Sequence, residues 1–302
     1  MPSRTTVFYL KLVLLPLGIG CLLYWATQEE TLRQQARLGW ELSAGALLSL
    51  VAMGPLALRF KHALKVAGFA LRGAQSLRIN ALSAFYHFFV PLSIGAELTK
   101  FVQLKMTHPE RGALGLTAAI LLDHVLGFAA LLAILIALFT GERVLDGPID
   151  VRWIALAVIV VNGLLLTLAW QCRARLRASL RDILERLMTH RLDAAAAVGW
   201  SIAMQALMAA ALLLPAQAWG MAIEYREFLF VLAASSLFAA IPLNVAGIGA
   251  AEIAGTGLYI ALGLNSREAV LLVSLMVCYR LLFAVLGGVW DFAATRRRAA
   301  AA

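Results

Sequence analysis

Charge is scarce in this chain. Only 14% of its 302 residues are Asp, Glu, Lys or Arg, 62% are hydrophobic, and the mean hydropathy is +0.84. That balance excludes an ordinary soluble domain and is the composition of a polytopic membrane protein. Cysteine is scarcer still. Cys21, Cys172 and Cys278 are odd in number and sit in or beside apolar runs, which excludes a disulfide framework and a zinc pattern. The five histidines are scattered without metal-ligand spacing, and no Ser-His-Asp, phosphate-loop or dinucleotide pattern is present, Gly247-x-Gly249 alone being too short to count as one. The sequence thus offers no catalytic centre, metal site or cofactor site, and the expectation is a protein that is not an enzyme.

What charge there is has one dominant sign, with a net value of +9. In a soluble chain this would point to nucleic acid. Here the Lys and Arg fall between apolar spans, the distribution that orients membrane proteins, so no nucleic-acid partner follows. The first apolar run, Val7 to Ala26, is long enough to span a bilayer and too long for the hydrophobic part of a signal peptide. A second run covers Gly39 to Leu58. Then come Arg59, Lys61, Lys65, Arg72 and Arg78 without any acid, and Phe60, Leu64, Ala67 and Leu71 fall near helical spacing among them. This predicts a basic helix along the cytoplasmic surface over about 59–78, and a similar pattern predicts another over about 172–193. Further spans are expected over Gly112–Phe139, Trp153–Trp170, Ala194–Trp219 and Glu268–Trp290.

Two apolar segments are interrupted. In Ala240 to Glu252, Pro242 removes a backbone donor while Gly247 and Gly249 let the chain leave helical geometry. A shorter copy runs from Phe88 to Glu97, where Pro91, Ser93 and Glu97 answer Pro242, Asn244 and Glu252, and Gly95 supplies the flexible position. Each copy is followed at similar distance by an apolar helix with buried polar residues, Asp123-His124 after the first and Tyr279-Arg280 after the second. Interrupted segments at matching places in two halves of a membrane chain point to a transporter's binding site.

Charge asymmetry decides their topology. If each interrupted segment enters and leaves on one side, as a re-entrant helical hairpin, then six full spans put both termini inside, with nineteen of the 26 Lys and Arg cytoplasmic. A single crossing by the first segment would turn the six-arginine stretch Arg173–Arg191 outward. The expected fold is therefore all-α: one integral membrane domain over 1–302, with halves of about 39–140 and 194–291 related as inverted repeats.

Charged groups at membrane depth mark a pathway or are paired for structural reasons. One reading pairs Glu97 with Lys100 and Glu252 with Arg280 as plain salt bridges, or makes each carboxylate a cap for its helix. The other has Lys100, His124 and Arg280 hold an anionic head group, with Glu97 and Glu252 positioning them or exchanging protons. Arginine suits phosphate because its planar fork donates two parallel hydrogen bonds. Ser93 and Asn244 are weaker candidates, Asp123 is a candidate proton carrier, and His62 and His87 read as interfacial or packing residues.

At these residues the chain resembles the flippase-like membrane family named for the transmembrane region of lysylphosphatidylglycerol synthase. The family's first motif, roughly Pro-Ser-Ser-Ile-Gly-Gly-Asp-x-x-Arg, is similar to Pro91-Leu-Ser-Ile-Gly95-Ala96-Glu97-Leu-Thr-Lys100. Its second, roughly Pro-x-x-x-x-Gly-Leu-Gly-x-Arg-Glu, is similar to Pro242-Leu-Asn-Val-Ala-Gly247-Ile-Gly249-Ala-Ala251-Glu252. Ala96 stands in place of a second Gly, Lys100 and Ala251 in place of arginines, and His124 where the first-half helix often has Arg. The resemblance implies a lipid flippase or related transporter in a bacterial cytoplasmic membrane, with membrane lipids as partners. The synthase's soluble aminoacyl-transferase domain has no counterpart here, so lipid aminoacylation is not expected. The leading reading is movement of a phosphate-bearing lipid, phospho- or polyprenyl-linked. A transporter of a small soluble anion, a proton-coupled exporter, and a non-transporting membrane subunit partnered with an envelope-lipid biosynthesis enzyme are the alternatives. The sequence leaves the oligomeric state open.

Overall fold

The computed structural model describes residues 39–89, 94–139, 185–239, 244–245 and 248–300. The expected spans Val7–Ala26 and Trp153–Trp170 lie outside them, as do Pro91, Ser93, Pro242 and Gly247. Among the described residues eight helices follow in order: α1 (Trp40–Val66), α2 (Gly73–Phe89), α3 (Ile94–Thr107), α4 (Ala113–Phe139), α5 (Arg191–Ala218), α6 (Tyr225–Phe238), α7 (Ala250–Ala261) and α8 (Ser266–Ala300). A two-residue antiparallel ladder, β1 (Asn244–Val245) with β2 (Ile248–Gly249), precedes α7. This ladder was not foreseen from the apolar pattern, which announces only that a helix must stop.

Four helices are long and apolar enough to cross a membrane: α1, α4, α5 and α8. The other four are short. At 1.5 Å per residue, the 14 residues of α6 and the 12 of α7 reach only about 20 Å, against a hydrocarbon core of about 30 Å. Order and length thus recur as long, short, short, long in each half.

The turn between the first two helices of each half is also the same. Gly68 (φ 84°) follows α1 and Gly220 (φ 70°) follows α5, a backbone region that L side chains rarely adopt. Phe69 N–H then reaches back to the Leu64 carbonyl at 2.9 Å, and Met221 N–H to the Ala216 carbonyl at 3.0 Å. Both bonds satisfy a carbonyl left open by the helix end.

This turn corrects one expectation. Residues 59–78 are not a single helix on the bilayer surface. Arg59 to Val66 are the last turns of α1, the chain reverses at Gly68, and α2 begins at Gly73. The physical reason is that Phe60 and Leu64, read as a surface stripe, are fully buried with Phe69, Ile79, Leu104 and Leu116 in a core joining α1 to α4. Of the second basic stretch, 172–193, only the end from 185 is described, and α5 begins at Arg191.

The halves interlock. α1 and α5 run antiparallel: His62, near the end of α1, bonds Asp193 at the start of α5 at 2.8 Å, while Gly45 lies against Ala211 at the opposite ends. α2 packs antiparallel on α8, and α6 packs in turn on α4. Within the second half α6 and α7 also lie antiparallel, with the rings of Phe228 and Tyr259 5.7 Å apart and Gly255 against Ser235. The largest core joins residues of α1, α2, α4, α5, α6, α7 and α8.

Gly287 sets the spacing of α2 and α8, because a Cβ there would run into the Ala81 carbonyl and the Leu82 nitrogen. Gly287→Ala is expected to lower stability by about 1–3 kcal/mol through overpacking, read as a fall in thermal midpoint in detergent. Gly54→Ala, where nothing lies within 4 Å of the added carbon, serves as the neutral comparison.

Candidate functional site

A cavity of about 410 Å³ opens where the two halves meet. Every described helix except α4 contributes to its wall, so no single half could form it. The polar side is cationic. Arg59 from α1, Lys100 from α3 and Arg280 from α8 line it, with Glu252 of α7 the sole carboxylate in the wall among the described residues and His87 of α2 beside it. A second polar group is neutral: Asn80 and Ser83 on α2, Gln205 on α5, and Ser235 and Ser236 on α6. Between them lie Met53, Met204, Met208, Met276, Leu232 and Phe283, an apolar and adaptable surface.

Each cation is held from behind by an acid. Asp123, fully buried on α4, accepts from Arg59 Nε at 2.9 Å and Nη2 at 3.0 Å, a bidentate pair. Lys100, with 8% of its side chain exposed, lies 3.5 Å from both Asp123 and Glu97 and 5.4 Å from the Phe60 ring. Arg280 donates to Glu252 Oε1 at 2.5 Å and lies 3.5 Å from His87 Nε2. The other oxygen of Glu252 accepts the Gly249 N–H at 2.7 Å. Glu252 therefore caps α7 and pairs with Arg280 through one carboxylate.

The residues singled out from sequence are brought together unevenly. Lys100, Glu252 and Arg280 line the cavity, and Gly249 places its backbone there. Glu97 and His124 do not line it; they pair with each other at 3.2 Å, their side chains 39% and 42% exposed. Asp123 also lies behind the wall, engaged by Arg59 and Lys100. Gly95 is buried and its carbonyl accepts from Thr99 Oγ1. Asn244 joins β1 in register with Gly249. Pro91, Ser93, Pro242 and Gly247 fall outside the described residues. No group of three metal-ligating side chains occurs among the described residues.

Sequence reasoning missed Arg59, His87, Gln205 and the serines of α6. Arg59 was counted with the cytoplasmic basic run, yet the fully buried Asp123 had no cation on its own helix and required one from elsewhere. Gln205, an amide in the middle of an apolar span, carried a signal of the same kind. His87, read as interfacial or packing, lies in the cavity wall beside Arg280 because α2 runs antiparallel to α8.

Fold and site together define an all-α, multi-pass membrane protein with a charged cavity between two sets of helices. The chain belongs to the family described as the lysylphosphatidylglycerol synthase TM region, which it matches over residues 9–288. No curated protein and no solved structure matches it significantly.

Removing one member of the buried pair leaves the other uncompensated. Asp123→Asn is expected to cost about 3–5 kcal/mol, measured by unfolding in detergent, and adding Arg59→Gln to the same chain should recover part of the loss.

Proposed function

We propose that the protein moves a phosphate-bearing lipid, phospho- or polyprenyl-linked, across the bacterial cytoplasmic membrane. The observation that carries this reading is the wall of the cavity: three cations, Arg59, Lys100 and Arg280, face one space beside an apolar surface of methionine, leucine and phenylalanine. A phosphate fits the first and the hydrocarbon next to it fits the second. The apolar side favours a lipid over a small soluble anion. Membership of the lysylphosphatidylglycerol synthase TM region family agrees with a lipid-pathway role. The chain does no chemistry on its cargo in this reading and is a transporter, not an enzyme.

The proposed topology is six spans and two re-entrant hairpins, related as inverted repeats, with both termini cytoplasmic. Three features support it. Helices α2–α3 and α6–α7 form pairs of short helices at matching places. The turn at Gly68 recurs at Gly220. Helices α1 and α5, which hold the same place in the two halves, run antiparallel, as an inverted relation requires. Exchange of conformation between such halves exposes one central site to either side in turn.

In proteoliposomes with fluorescent phosphatidylglycerol, Arg280→Ala combined with Glu252→Ala is expected to slow transfer between leaflets about 10- to 100-fold, the weight of a lost charge-assisted hydrogen bond. Transfer at the unaltered rate would remove Arg280 and Glu252 from the site.

A further inference from the structure

The two carboxylates at corresponding starts of α3 and α7 are used differently. Glu252 has both oxygens bonded, one to Arg280 and one to Gly249 N–H. At Glu97 two partners converge on a single oxygen, Oε1: His124 Nε2 at 3.2 Å and Lys100 Nζ at 3.5 Å. The other oxygen, Oε2, is buried and has no hydrogen-bond partner among the described residues. His124 and Lys100 thus answer the charge of Glu97 through Oε1. Beside it stands the one side chain type whose charge ordinarily changes near neutral pH.

We propose that Glu97 and His124 form a proton-binding site coupled to cargo at Lys100. The proposal rests on the transport reading above and adds its coupling ion. The contact at 3.2 Å requires a hydrogen on one of the two atoms, since two lone pairs facing one another would repel, so the pair holds a proton between them. With the ring neutral, the charge of Glu97 is shared with Lys100 and holds the ammonium toward the protein. Once the site takes up a proton, the imidazolium satisfies Glu97. Lys100 is then left with Asp123, which Arg59 already grips through two hydrogen bonds. Its N–H donors are released to an anion in the cavity.

Proton and anionic cargo consequently bind better together than apart, and the coupling is reciprocal. The charged groups that act on His124 are Glu97 from α3 and Asp123 on its own helix; Lys100 of α3 and His87 of α2 act on Glu97, and Arg59 of α1 on Asp123. Helices α5 and α6 also pack on α4, and among the described residues they bring no charged partner to the ring. Among the described residues the second half holds no such pair: Arg280 occupies the place answering to His124 and meets Glu252 instead. A proton taken up in one half alone can bias one of the two exchanged conformations.

The test uses the full-length protein in vesicles of phosphatidylethanolamine and phosphatidylglycerol, with fluorescent phosphatidylglycerol as the probe. An imposed pH difference is expected to change wild-type transfer at least about fivefold. His124→Gln, Glu97→Gln and His124→Arg, whose charge is fixed, should each lose that response. Wild-type transfer that ignores the gradient, or variants that respond as the wild type does, would overturn the coupling while leaving transport intact. Absence of transfer at every pH would instead sink the transport reading. The coupling is then decided by a second measurement, in detergent and weak buffer near the ordinary histidine value of about 6.5. Short-chain phosphatidylglycerol should draw protons from solution onto the wild type and not onto His124→Gln, and equal or no uptake in the two would reject the site.

Discussion

A charge in a low-dielectric interior must be answered by another charge, and this requirement shapes the centre of the molecule. Three cations face the cavity, and each is answered by an acid on a different side: Asp123 behind Arg59, Asp123 and Glu97 behind Lys100, Glu252 beside Arg280. An isolated guanidinium at such a place would cost several kcal/mol, whereas a paired one keeps donors for a further partner. The pairing also ties helices together. Arg59–Asp123 joins α1 to α4 and Arg280–Glu252 joins α8 to α7, so the electrostatics that make the cavity receptive are the same contacts that hold its walls.

The backbone obeys a parallel rule. Helix ends inside a membrane protein leave open carbonyls and N–H groups that no water can satisfy. The chain closes them internally, with the reversed turns at Gly68 and Gly220 at two ends and the Glu252 carboxylate on Gly249 at a third. Glu252 does this while holding Arg280, which couples the position of a cavity cation to the start of a short helix. Movement of that helix would carry the arginine with it. The first half lacks this direct link, since Glu97 meets a histidine and a lysine at one oxygen. Two halves with one architecture thus differ in what their charges do.

Several elements were legible because they depend on local chemistry. Pro242 within an apolar run, with glycines after it, announced where a helix must stop, and α6 does end at Phe238 before it, while Pro91 lies outside the described residues. The apolar runs gave α4 to within a residue and α5 and α8 to within about three at their starts. The stripe Phe60, Leu64, Ala67 and Leu71 misled, because an apolar face looks the same whether lipid or protein covers it. Only the packing of α3 and α4 shows that protein does.

The site was half legible. Glu97, Lys100, Asp123, His124, Glu252 and Arg280 stood out because ionisable side chains are rare and costly in apolar segments. Sequence alone thereby determined the membrane class, the end of α6 ahead of Pro242 and the identity of most buried charges, each fixed by the burial cost or backbone geometry of residues close in the chain. Which charges face one another was decided by the tertiary structure. Arg59 meets Asp123 across 64 positions and His87 meets Arg280 across 193, and no local pattern can encode a pairing that exists only once antiparallel helices from the two halves have packed around a common cavity.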